Sequence, residues 1–149
     1  MTTRRDFCMQ ACQALSIASI AGALQGCGGS PTSPSSASLQ SVSGAIVNGA
    51  VTVTIDSTSP LAAVGGAALV QTSVGNFLVA HTGQSVFTAM TAICTHEACT
   101  ITGFESQTFV CPCHGSRYNT NGVVLTGPAV SSLRQFATQF SNNILTIAV

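Results

Sequence analysis

The chain is defined by two short stretches, CTHEAC over residues 94–99 and CPCHGSRY over residues 111–118. They give a C-x-H pattern, fourteen intervening residues and a C-x-x-H pattern. A thiolate and an imidazole from each of two adjacent loops can place both sulfurs on one metal and both nitrogens on another, as a two-iron cluster with mixed ligation requires. One tetrahedral zinc ion needs the same four ligands, but it would leave Cys99 and Cys113 unexplained.

The two stretches resemble the cluster-binding boxes of the Rieske iron–sulfur protein family, in particular its high-potential type, which includes the iron–sulfur subunit of cytochrome bc complexes. The resemblance implies one [2Fe-2S] cluster per chain, with Cys94 and Cys111 binding one iron and His96 and His114 binding the other. Two ferric ions, two sulfides and two thiolates sum to zero charge. An added electron therefore meets less repulsion than it would with four thiolates.

The resemblance also implies roles for residues beside the ligands. Cys99 and Cys113 would form a disulfide, which dioxygenase ferredoxins of the family typically lack; two free buried thiols are the alternative. The hydroxyls of Ser116 and Tyr118 match groups that hydrogen-bond a bridging sulfide and a cysteine sulfur in high-potential members, although both can equally be ordinary loop and packing residues. Donors to sulfur favour the reduced, more negative cluster. Residues 127–129, Gly-Pro-Ala, resemble the proline loop that covers the cluster.

By the same resemblance, His114 accepts hydrogen from quinol at an exposed histidine edge that includes His96. The first hypothesis is therefore the iron–sulfur subunit of a cytochrome bc-type quinol oxidase, which works with a membrane cytochrome b subunit and a cytochrome c-like electron acceptor. Glu97 departs from the family pattern, because that position is usually apolar and helps docking. The second hypothesis is an electron-transfer subunit or carrier for another exported oxidoreductase, similar to the small subunit of arsenite oxidase.

The charge content indicates which partners to exclude. The chain has four basic and four acidic residues, a formal net charge of zero and 46% hydrophobic residues. Binding to a phosphate backbone requires many Lys and Arg contacts, so we expect no nucleic-acid partner. The length and apolar content suit one folded domain with a buried core.

Residues 1–27 are typical of a targeting segment. Arg4 and Arg5 precede a weakly apolar run from Phe7 to Leu24, which resembles a twin-arginine signal peptide. The residues up to Cys27 resemble a lipoprotein processing site, in which this cysteine becomes acylated. The alternatives are an uncleaved signal that stays as an anchor, and cleavage elsewhere with no role for Cys27. We expect export to the periplasmic side and tethering at the outer face of the cytoplasmic membrane, by the lipid or by the uncleaved segment.

Residues 28–43 contain seven Ser, two Pro and two Gly, a composition that predicts a flexible linker. From residue 44 to 149 the pattern predicts an all-β domain, and the resemblance implies a Rieske-type antiparallel β-sandwich with a small cluster-binding subdomain over about 91–129. Asn48-Gly49 predicts a tight hairpin turn. The expected strands are 51–55, 67–72, 77–81, 86–90, 107–110, 123–126, 136–140 and 144–149.

Overall fold

The computed structural model describes residues 37–149, which form thirteen β-strands and no helix. The predicted all-β fold is confirmed. Within this part of the chain, no helix is long and apolar enough to cross a membrane. The predicted signal segment, with Cys27, lies outside the described residues. In chain order the strands are β1 Gln40–Ser43, β2 Ala45–Val47, β3 Ala50–Thr54, β4 Ala67–Thr72, β5 Gly75–Gly83, β6 Val86–Thr91, β7 Gly103–Glu105, β8 Thr108–Val110, β9 Arg117–Asn119, β10 Val124–Thr126, β11 Gln135–Phe136, β12 Thr138–Ser141 and β13 Ile144–Ala148.

The strands form three sheets. The orders are β1-β4-β5-β6-β11, β12-β13-β3-β2 and β10-β9-β8-β7, and the last of these carries the cysteine and histidine loops. β1 runs parallel to β4, whereas the other paired strands are antiparallel. At the β2–β3 turn, Asn48 and Gly49 have φ angles of 50° and 80°, which confirms the predicted hairpin.

The five-stranded sheet is buried on both faces, which explains the unbroken apolar run in β5. Val79 belongs to a core shared with Val53 and Leu145 of the second sheet. Leu78 faces a separate core, which contains Tyr118 and the other buried side chains of the cluster-binding sheet. The five-stranded sheet is therefore the layer on which the cluster-binding part rests.

The linker prediction for residues 28–43 is wrong over its last seven residues. The amide of Leu39 donates to the Thr102 carbonyl at 2.7 Å, and that of Phe104 donates to the Ala37 carbonyl at 2.8 Å. Residues 40–43 form β1. Serine content predicted a linker, but Leu39 is buried and anchors the segment.

The strand predicted over Phe136–Phe140 is two strands. β11 pairs with β6 in the five-stranded sheet, and β12 pairs with β13 in the other large sheet, so the chain changes sheets at Ala137. Both halves have strand-like composition, and a local pattern contains no information on pairing partners. The sequence analysis also missed the short strands β1, β2, β7 and β9.

Candidate metal centre

The first loop, residues 94–99, is closed by its own backbone. The amide of Cys94 donates to the Cys99 carbonyl at 2.8 Å, and the amide of Ala98 donates to the Cys94 carbonyl at 3.0 Å. Ala98 has a φ of 44°, a left-handed conformation that lets the chain turn back so quickly. The loop therefore presents its side chains from a fixed frame.

The second loop, residues 111–116, repeats this frame at the end of the β8–β9 hairpin. The amide of Cys111 donates to the Ser116 carbonyl at 2.9 Å, and the amide of Gly115 donates to the Cys111 carbonyl at 3.0 Å. Gly115, with a φ of 76°, occupies the left-handed position. The two loops thus share one hydrogen-bond pattern, and each begins with a cysteine.

A disulfide joins the loops. It links Cys99 of the first loop to Cys113 of the second, which confirms the disulfide that the resemblance implied. Cys94 and Cys111 remain as thiols, and both are buried. Two of the four loop cysteines are therefore committed to a covalent cross-link, and the other two are available as metal ligands.

The two free thiols differ in their readiness to ionise. Burial opposes ionisation of Cys94, but hydrogen bonds from the Tyr118 hydroxyl and from the backbone of His96 outweigh it and lower the pKa of this thiol. Burial raises the pKa of Cys111, and the neighbouring Cys94 sulfur raises it further. The mutual influence of the two sulfurs places them side by side, as two ligands of one iron must be.

Tyr118 is fully buried beneath the first loop. Its hydroxyl lies 3.3 Å from the Cys94 sulfur, and it also accepts a hydrogen bond from the Thr95 amide at 3.3 Å. Burial raises the pKa of Tyr118, and the adjacent Cys94 sulfur adds to this effect. The tyrosine therefore remains a neutral hydroxyl beside the Cys94 sulfur, the neighbour that the family resemblance implies for it. Between this hydroxyl and a Cys94 thiolate, only the hydroxyl can donate.

Ser116 is also fully buried, and its hydroxyl accepts a hydrogen bond from the Ala129 amide at 3.0 Å. This contact ties the second loop to the Gly-Pro-Ala segment of residues 127–129. The hydroxyl proton of Ser116 remains available for another acceptor, and a bridging sulfide in this position is the predicted one. That role remains a prediction.

Thr95 is a site residue that the sequence analysis missed. Its hydroxyl lies 3.0 Å from the Tyr118 hydroxyl and donates to the Ser131 carbonyl at 2.6 Å. It thereby connects the first loop, the tyrosine and the segment after the proline loop. The variable position of a C-x-H motif gives no signal for such a role, because a loop threonine is compatible with almost any environment.

The two histidines form an exposed edge. Their rings lie 5.1 Å apart at 89°, and the side chains of His96 and His114 are 31% and 48% exposed. The Glu97 carboxylate lies 3.9 Å from His96 Nε2 and 3.7 Å from His114 Nδ1. The edge therefore carries a negative charge beside both imidazoles.

This donor set fits a [2Fe-2S] cluster and does not fit one zinc ion. Ligands of a tetrahedral zinc lie roughly 3.5 Å apart, given metal–ligand distances near 2.0 to 2.3 Å. Among residues 37–149, one close group of potential ligands is His96, Glu97 and His114, and the other is Cys111 with the two disulfide cysteines. No group of three or more mixes thiols with imidazoles within 4.8 Å. Sulfur and nitrogen donors in two separate pairs are what two irons need.

Comparison with known proteins supports this interpretation. The family model described as "Rieske [2Fe-2S] domain" matches residues 53–137. The cytochrome b6-f complex iron-sulfur subunit of Prochlorococcus marinus (strain AS9601) is 51% identical over 45 residues, which cover 30% of this chain and 25% of that protein. The chloroplastic subunit of Pisum sativum is 42% identical over 59 residues, 38% of this chain and 26% of that protein. The chain thus spans about a quarter of the length of the curated relatives it matches.

Among solved structures, the cyanobacterial plasma membrane Rieske protein PetC3 from Synechocystis PCC 6803 matches with a TM-score of 0.55 and 33% identity, over 65% of this chain and 99% of that chain. The ferredoxin of carbazole 1,9a-dioxygenase from Nocardioides aromaticivorans IC177 matches with a TM-score of 0.51 and 18% identity, over 65% and 96% of the two chains. The second likeness concerns the fold alone.

Proposed function

Because this chain belongs to the Rieske [2Fe-2S] domain family, we propose that it is the iron–sulfur subunit of a cytochrome bc-type quinol oxidase. It would take electrons from quinol beside a membrane cytochrome b subunit and pass them to a cytochrome c-like acceptor. Electron transfer by a [2Fe-2S] cluster is the activity of the family, and the relatives named as cytochrome b6-f subunits favour this complex over others. The observation that carries the proposal is the exposed edge of His96 and His114.

Each group at the site has a part in this activity. Cys94, Cys111, His96 and His114 would hold the cluster, which would supply a one-electron couple. With Cys94 as a thiolate ligand, the Tyr118 hydroxyl, 3.3 Å from its sulfur, would be the donor and would stabilise the added negative charge. At the exposed edge, the ring nitrogen of His114 that is not bound to iron can hold a proton, so electron uptake is linked to proton uptake.

A second candidate function is electron transfer for another exported oxidoreductase, such as an arsenite-oxidase-like enzyme. Glu97 favours it, because a carboxylate that is 61% exposed beside the histidine edge disfavours docking on an apolar surface. A basic patch on a partner would suit this edge better. Copurification of the chain with a large molybdenum subunit would support the second function, and a stable complex with cytochrome b would support the first.

The proposed location is the outer face of the cytoplasmic membrane, reached by the twin-arginine route. The Arg4-Arg5 pair and the residues around Cys27 support export and tethering. The disulfide between Cys99 and Cys113 supports an oxidising compartment independently. Mass analysis of the mature N-terminus tests the anchor: acylated Cys27 is expected, and a different mature start would contradict lipidation.

The first test is electron paramagnetic resonance of the dithionite-reduced holoprotein, with a redox titration across pH. A rhombic signal of low average g and a positive midpoint potential that falls as the pH rises are expected. A negative midpoint potential would retain the cluster but contradict quinol oxidation.

The second test uses His114→Cys, which keeps a metal ligand but removes the ring nitrogen that holds the proton. Dithionite should still reduce the cluster, whereas reduction by duroquinol should be lost. Glu97→Gln is the matched control at the same edge and should retain the reaction with duroquinol. Unchanged duroquinol reduction in a cluster-loaded His114→Cys variant would contradict the role of this residue.

A further inference from the structure

A cleft of about 410 Å³ lies in the part of the fold built around the core of the two large sheets. Its apolar wall comes from Ile55, Leu61, Phe87 and Phe140, and polar groups, Asp56 among them, line its rim. None of its lining residues belongs to the two cluster-binding loops. Half of its lining residues are apolar and half are polar. A concave site of this volume that combines an apolar wall with polar groups suits a small molecule.

His81 lines this cleft and is 92% buried, since its relative exposure is 8%. Its Nδ1 lies 2.9 Å from the Leu61 carbonyl, which can only accept, so Nδ1 carries the proton. The ring stacks on Phe87 with centroids 4.2 Å apart. In this tautomer Nε2 holds a lone pair that can accept one hydrogen bond.

Within residues 37–149, His81 Nε2 is buried and has no hydrogen-bond partner. An unpaired buried acceptor costs about 1 to 3 kcal/mol relative to a paired one, so a group that donates to it is bound favourably. Nε2 itself lies beneath the surface of the cleft, and a donor must displace part of the wall to reach it. Ala62 and Val64 line the cleft and are exposed, so solvent and not packed protein lies on the outer side of this part of the wall.

We propose that this cleft binds a small, largely apolar molecule with one hydroxyl group, of the phenol class. The apolar side chains enclose the ring of the ligand, and its O–H donates to His81 Nε2. The proposal does not depend on the function assigned to the cluster, because it uses no residue of that site.

The test is titration of the oxidised holoprotein, labelled with ¹⁵N-histidine, with phenol and with toluene. The chain has three histidines, two of them the proposed cluster ligands, so the His81 resonances are readily assigned. Phenol should shift the Nε2 resonance of His81 and bind about fivefold more tightly than toluene, which corresponds to one hydrogen bond of about 1 kcal/mol. Equal affinities, or shifts confined to His96 and His114, would overturn the proposal.

Variants locate the site. His81→Gln keeps a donor for the Leu61 carbonyl and an acceptor for the ligand, so it should retain the preference for phenol, whereas His81→Phe should lose it. Ala62→Phe, at an exposed position, should fill the cleft and abolish binding of both probes. Val74→Ala, in an exposed turn outside the cleft, is the control and should change neither affinity. Phenol binding that survives Ala62→Phe in a folded protein would place the ligand elsewhere.

Discussion

The two cluster-binding loops have the same backbone and different chemistry. In both, the first amide donates to the carbonyl of the sixth residue, and the fifth amide donates to the carbonyl of the first, with all four distances between 2.8 and 3.0 Å. In both, the fifth residue has a positive φ. Only the cysteine at the first position is common to the two sets of side chains.

At the other positions the two loops carry different residues with different roles. The third position is His96 in the first loop and Cys113 in the second, and the fourth is Glu97 or His114. The disulfide therefore joins the sixth position of one loop to the third position of the other. A repeated backbone frame with unequal side chains explains how two similar loops form a site with distinct covalent, ligating and exposed faces.

The largest expected effect comes from the cross-link. The double substitution of Cys99 and Cys113 by Ala should lower the free energy of unfolding of the holoprotein by about 3 kcal/mol, because the loops lose a covalent constraint on the unfolded chain. Urea unfolding followed by cluster absorbance measures it. Thr126→Ala, an exposed change in the same sheet, should cost less than about 0.5 kcal/mol. A loss below about 1 kcal/mol in the double variant would show that the shared frame holds the loops without the disulfide.

Removing the hydroxyl of Tyr118 or of Ser116 tests whether these groups donate hydrogen bonds to sulfur. Tyr118→Phe should lower the midpoint potential by about 40 mV, which corresponds to a hydrogen bond of about 1 kcal/mol for one electron. Ser116→Ala should lower it in the same direction. Ser131→Ala is the matched control, since only the backbone carbonyl of Ser131 takes part in the site. Redox titration monitored by circular dichroism gives the values, and an unchanged potential in both variants would remove these residues from the tuning of the cluster.

The fifth position tests the frame itself. Gly115→Ala should cost about 1 kcal/mol, because a left-handed backbone is unfavourable for a residue with a Cβ. A Cβ at Gly115 would meet no atom within 4 Å, so no clash adds to this cost. Ala98→Gly relieves the same strain in the first loop but adds chain entropy, so its net effect should lie within about 0.5 kcal/mol. Urea unfolding measures both changes in the free energy of unfolding. If Ala98→Gly lowered it as much as Gly115→Ala does, the alanine of the first loop would not be strained, and the two loop backbones would not be equivalent.

The smallest expected effect comes from the fourth position. Glu97→Gln should raise the midpoint potential by about 20 mV, because a carboxylate beside the imidazoles favours the oxidised cluster and an exposed charge acts through water. The difference in midpoint potential between the variant and the unaltered protein should shrink at high salt, because salt screens the charge of Glu97. A lower potential in the variant would contradict this electrostatic role.

The sequence predicted what is local. Motif spacing identified the two loops, and Asn48-Gly49 identified a turn, because both depend on neighbours in the chain. The roles of Thr95 and Ala129 were not predictable, since their contacts with Tyr118 and Ser116 span 23 and 13 residues. The disulfide partners came from family resemblance, because residues 111 and 113 of an extended strand can face the same side.

Residue periodicity gave most strands of the large sheets but missed β1, whose partner is distant in the sequence, and the three-residue strands β2, β7 and β9, which are too short to show a period. β1 pairs with β4, almost thirty residues onward, and its serines carried no strand signal. The change of sheet at Ala137 also gives no signal in the sequence, because β11 and β12 have the same strand-like composition although they belong to different sheets. These features depend on tertiary contacts that outweigh local preference.

The segment from Ala37 to Ser43 has a mechanical consequence. Ser38 bridges to Gly103 in the cluster-binding sheet, and the next residues pair with β4 in the five-stranded sheet. A force applied to the chain before Ala37 therefore reaches the cluster-binding sheet first and the five-stranded sheet directly after it. A pull along the axis of β1 loads its four register pairs together, so they resist in shear and do not open one after another. The contacts of residues 37–39 with the cluster-binding sheet therefore stand between that force and the pairing of β1 with β4.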